Sequence, residues 1–87
     1  MSAHVNQARR LMLNILNQAK MQGGYSIPES TLQLEITAKV RPQLTTVEWD
    51  DLCIELQQRE MIGHLRDGLD DEKKFFIKEA GETALRN

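Results

Sequence analysis

The chain has a single cysteine, Cys53, so no disulfide can form within it and its stability has to come from packing. It lacks any apolar run approaching the roughly 18 residues that cross a bilayer, and Met1 to Asn6 has neither the charged start nor the greasy middle of a secretory signal. With the lone thiol, these absences predict a cytoplasmic protein that makes no membrane contact. Neither sign of charge is in large excess: 11 Lys and Arg stand against 13 Asp and Glu, a net charge of −2. The molecule as a whole therefore has no electrostatic reason to seek nucleic acid or an anionic lipid surface. Internal repeats, low-complexity stretches and linkers rich in Pro, Gly or Ser are missing too, and 87 residues cannot fill two cores. One domain over residues 1–87 is expected, its core lying roughly between residues 8 and 85.

The carriers of catalytic and metal chemistry are equally scarce. His4 and His64 are the only histidines, and with Cys53 they cannot furnish a four-ligand zinc site. Asp67, Asp70, Asp71 and Glu72 bring oxygens together, but their spacing is not that of a calcium loop and no glutamate follows at the twelfth position. No Ser-His-Asp set, phosphate loop or paired carboxylates appear, and a chain this short has little room to enclose a substrate. The expectation is a protein that is not an enzyme and uses neither cofactor nor metal.

What the chain does have is amphipathic patterning. From Val5 to Gln22, Ala8, Leu11, Met12, Ile15, Leu16 and Ala19 recur at helical spacing, and Gly23-Gly24 follows as a stop. Ser26-Ile27-Pro28-Glu29 reads as a capping box with proline in the first turn of a second helix reaching about Val40. Within it, Leu32, Leu34, Ile36, Ala38 and Val40 alternate with polar residues, the period of a half-buried strand, so Thr31 to Val40 remains open between helix and strand. Arg41 to Leu44 is a short Pro-containing connection. Thr45-x-x-Glu48 then caps a third helix whose stripe is Trp49, Leu52, Cys53 and Leu56, ending near Arg59 to Met61 with Gly63 just beyond. In that stripe Cys53 acts as a small apolar side chain and Trp49 as a core anchor. Ile62 to Arg66 and Lys73 to Ile77 are strand-like, separated by a polar loop containing Asp67-Gly68, with Phe75 and Ile77 on one side; Glu79 to Arg86 reads as a terminal helix.

This order of elements resembles a winged helix-turn-helix domain. Leu44 to Ile62 looks like that family's third helix running into the first wing strand, and Phe76-Ile77-Lys78-Glu79-Ala80-Gly81 resembles the close of the wing, with Lys78 where threonine is usual. The resemblance implies a mainly α fold: a three-helix core, a small β-hairpin wing and a short C-terminal helix. It further implies a DNA-binding transcriptional regulator that lays its third helix in the major groove and its wing on the backbone. The contacts would come from Gln43, Thr45 and Thr46 at the start of that helix and from Arg66, Lys73 and Lys74 on the wing.

The residues resist that implication. With the stripe inward, the helical step of about 100° turns Val47, Asp51, Ile54, Glu55 and Gln58 outward, flanked by Glu48 and Asp50. Between Thr45 and Glu60 five carboxylates face Arg59 alone, a local charge of −4. A carboxylate and a phosphate about 7 Å apart repel by about 0.6 kcal/mol in water, so several such pairs offset the backbone attraction on which non-specific DNA affinity rests. The wing is close to neutral, its cations facing Asp67, Asp70, Asp71 and Glu72. Arg9, Arg10 and Lys20 of the first helix could grip a backbone or simply solubilise a face. Two functions stay open: a protein-docking or self-associating module that uses Val47, Asp51, Ile54, Glu55 and Gln58, and a regulator binding double-stranded DNA.

Overall fold

The computed structural model describes residues 3–66, 68–69 and 72–86. Among them are four helices and three short strands: α1 (Ala3–Met21), β1 (Ile27–Pro28), α2 (Glu29–Lys39), α3 (Thr46–Gln58), β2 (Ile62–Arg66), β3 (Lys73–Ile77) and α4 (Glu79–Arg86). The architecture is mainly helical with a small antiparallel sheet of order β1-β3-β2. No helix among the described residues is long and apolar enough to cross a membrane.

Helix α1 is the element on which the others pack. Ala8, Met12 and Leu16 are fully buried, and Gly23 ends the helix in the left-handed region, at φ 92°, where a side chain would be strained. Leu13 is also buried, though the sequence stripe leaves it out. The reason is α4, which lies along that flank of α1 and widens the arc withdrawn from water.

The open question over Thr31 to Val40 resolves as helix. Leu32, Ile36 and Val40, four residues apart, reach the core, whereas Leu34 is 72% exposed and Ala38 faces solvent. The strand-like alternation has no partner strand to answer it. The expected capping box at Ser26 is not formed: Pro28 is the residue before the first turn and offers no capping side chain, and the Ser30 N–H of that turn donates instead to Glu72 Oε1 at 3.3 Å. Ile27 and Pro28 instead pair with Phe75 and Lys74 as the edge strand β1, where the missing proline N–H does no harm.

Helix α3 begins as its sequence requires. Thr45 Oγ1 accepts from Glu48 N at 3.1 Å, and Thr45 N donates to Glu48 Oε1 at 2.9 Å, satisfying two donors that the first turn would leave orphaned. It ends in a Schellman turn: Glu60 N reaches Gln57 O and Met61 N reaches Leu56 O, with Glu60 itself left-handed at φ 60°. That conformation is costly for a residue with a Cβ, and the Glu60 carboxylate is held by Lys78 Nζ at 2.6 Å.

The two hairpin strands fall at the expected positions. β3 lies in the middle of the sheet, pairing Ile77 with Ile62 on one side and Phe75 with Ile27 on the other. Phe75 and Ile77 point into the core while Phe76 points away, its ring stacked on Tyr25 with centroids 4.9 Å apart. Asp67, Asp70 and Asp71 of the loop lie outside the described residues. Gly81 of α4 sits so close to the β2 entry that a Cβ there would stand 2.5 Å from the Met61 carbonyl oxygen and 2.9 Å from Ile77 Cγ1. That carbonyl already accepts from Lys78 N at 2.9 Å, so it is not free to move. Gly81→Ala is therefore expected to cost roughly 1–3 kcal/mol. Urea denaturation measures it, and an unchanged midpoint would mean that α4 does not press on Met61.

Candidate functional site

The outward side of α3 is defined by what holds its inward side. Trp49, Leu52, Cys53 and Leu56 are all buried. Trp49, at 3% exposure, cannot leave its indole N–H without a partner, and it donates to Glu29 Oε2 of α2 at 3.0 Å. One directional bond within an apolar stripe sets the rotation of the helix about its own axis. Val47 then stands 68% exposed and Ile54 50% exposed, with Asp51 and Gln58 open beside them. Their spacing of four, three and four residues makes a single ridge. Asp50 flanks it, and neither Asp50 nor Asp51 has an ion pair among the described residues.

Glu55 does not belong to that ridge, contrary to the sequence-based assignment. It is half-buried against α1, where its Oε1 accepts from Arg9 Nη2 at 2.7 Å and its Oε2 lies 3.4 Å from Arg59 Nη1. An arginine one turn from the buried face of α1 pulls it inward, a contact between positions 46 residues apart that helical geometry alone does not reveal. Two other acids of the segment are also engaged. Glu48 closes the Thr45 cap and contacts His4 Nε2 at 2.9 Å, and Glu60 is bridged to Lys78. The acidity presented outward is thus carried by Asp50 and Asp51 rather than by five carboxylates.

The alternative contact residues fall in two places, the start of α3 and the hairpin. Gln43 and Thr46 are exposed, but the Thr45 hydroxyl is occupied by the cap. Arg66 is exposed on β2, opposite Lys73 in the sheet, while Lys73 and Lys74 are half-buried. Lys73 Nζ lies 5.8 Å from the centroid of the Phe75 ring. On α1, Arg9 and Lys20 are committed to Glu55 and Glu82, the latter at 2.9 Å. Arg41 turns back to cap α2, donating to Thr37 O at 2.6 Å. The pairs made by Arg9 and Lys20 went unseen in the sequence because each depends on how two helices pack.

Other chemistry is limited. Burial pushes the Cys53 thiol up to about 12, with Glu29 and Asp50 adding to the effect, so the thiolate that a nucleophile needs is suppressed. No cluster of three or more His, Cys, Asp or Glu able to hold a metal occurs among the described residues. No family model, curated protein or solved structure matches the chain.

Three glutamates sit below the ordinary carboxylate range. For Glu48 the main cause is the backbone N–H of Thr45, followed by His4; for Glu60 it is Lys78; for Glu72 it is the hydroxyl and N–H of Ser30. Each holds its proton less tightly folded than unfolded, so its contribution is complete above the ordinary glutamate range and is lost as the pH falls through the depressed value. The melting temperature is expected to fall on acidification from about pH 5 to about pH 3. Glu48→Gln, which keeps a capping side chain but cannot titrate, should flatten part of that fall; an identical pH profile would remove Glu48 from the account.

Proposed function

We propose that the chain is a non-catalytic winged helix-turn-helix module that docks another protein through the outward ridge of α3. The carrying observation is the pairing of two exposed apolar side chains, Val47 and Ile54, with two carboxylates, Asp50 and Asp51, that have no ion pair among the described residues. A ridge that alternates exposed apolar side chains with one of these carboxylates, and has the second at its margin, suits a protein surface better than a polyanion. The winged-helix part of the reading is supported by the element order and by the directness with which the capped third helix runs into a hairpin and then a short helix.

DNA binding is the second reading, and one observation favours it. Because Glu48, Glu55 and Glu60 are engaged within the fold, the helix repels phosphate less than its composition implies. Contact would fall to Gln58 and the start of α3, with Arg66, Lys73 and Lys74 on the backbone.

The two readings part in a titration of mixed-sequence duplex at low salt. The docking reading expects no binding; affinity that falls steeply with added salt and weakens in Lys73→Glu/Lys74→Glu would replace it with the DNA reading. A photo-crosslinker placed at Gln58 should yield a discrete adduct that Ile54→Arg abolishes while leaving the melting curve intact. Sedimentation equilibrium decides whether that adduct is a second copy of the chain or a different protein.

A further inference from the structure

A groove of about 360 Å³ opens between α1, the end of α3 and α4. Arg9, Arg10 and Arg59 line it, together with the apolar side chains of Leu13, Met61 and Leu85. Three arginines around one hollow are a local concentration of positive charge in a chain whose net charge is −2. Glu55 is the carboxylate that answers them, bonded to Arg9 and within ion-pair distance of Arg59. That leaves two positive charges uncompensated. Arg10 is exposed and has no ion pair among the described residues, and Arg59 reaches Glu55 only at 3.4 Å while remaining more than half exposed. Arg9 is held more firmly, between Glu55 and Asn6 Oδ1.

We propose that this groove binds a small amphipathic carboxylate. The acid group would meet Arg10 and Arg59, whose planar forks match a carboxylate's two oxygens, while the hydrocarbon part covers Leu13, Met61 and Leu85. Glu55 is an internal precedent, already presenting a carboxylate to Arg9 and Arg59, one of the two arginines that would take the ligand. The volume lies at the lower end of the range of about 300–1,000 Å³ for small-molecule sites, which fits a short acyl or aryl acid rather than a helix of a partner. The site is separate from the Val47 and Ile54 ridge and stands whether or not that ridge docks a protein.

The test is a titration of the isotopically labelled full chain with octanoate, followed by amide and arginine side-chain NMR, with 1-octanol and octylammonium as comparators. Saturable shifts at Arg10, Arg59 and Leu85 are expected with octanoate alone. Arg10→Gln/Arg59→Gln should weaken binding about tenfold or more with little change in melting temperature. Glu55→Gln, which removes the competing carboxylate, should tighten it severalfold. Equal binding of 1-octanol or octylammonium, an undiminished affinity in the double variant, or no saturable shift at millimolar octanoate would each overturn the assignment.

Discussion

A helix of 13 residues in a small domain can hide only one of its sides, and in α3 the choice of side is fixed by a single large residue. Trp49 is withdrawn from water, which drives it inward, and its N–H must find an acceptor there, which orients it. Glu29, at the start of α2, supplies that acceptor. Every feature of the outward ridge follows from this one joint, since rotating α3 by a residue would bury Asp50 or bring Cys53 to the surface. The same rotation delivers Glu55 to Arg9 and so places a carboxylate beside the arginine groove. The ridge and the carboxylate beside the groove are both consequences of one anchored side chain.

Local chemistry was the most readable part of the chain. Thr45 and Glu48 cap α3 within four residues of one another, Gly23 closes α1, and Phe75 and Ile77 alternate with Phe76; each depends on neighbours in sequence, and each appears where expected. Thr31 to Val40 shows the limit. Its alternation was ambiguous because Leu34 and Ala38 are apolar without being needed in the core, and only the burial of Leu32, Ile36 and Val40 together decides for a helix. The short strand β1 was hidden for a related reason. Ser26 and Glu29 have the spacing of a capping box, but the Glu29 carboxylate is bonded to Trp49, and two residues of strand carry too little pattern to be noticed.

The charge of α3 illustrates a different kind of blindness. Counting residues between Thr45 and Glu60 treats every acid as facing solvent, yet three of the five close contacts within the fold, with His4, Arg9 and Lys78 as partners. His4 and Arg9 lie 44 and 46 residues away, beyond any helical or hairpin repeat, while Lys78 meets Glu60 across the open end of the β2–β3 hairpin. The ridge assignment of Val47, Asp51, Ile54 and Gln58 rests on geometry within one helix and agrees with their exposure; the inclusion of Glu55 required knowledge of α1. Short-range pattern finds the face, and long-range packing determines its charge.

Trp49 is also the only tryptophan in the chain. An indole buried among aliphatic side chains and bonded to a carboxylate emits at shorter wavelength than one in water, so the protein carries its own optical gauge. The colour of its fluorescence reports whether the joint between α2 and α3 is closed, with no label attached and the ridge left untouched. Anything that seats on Val47 and Ile54 registers there to the extent that it shifts this joint.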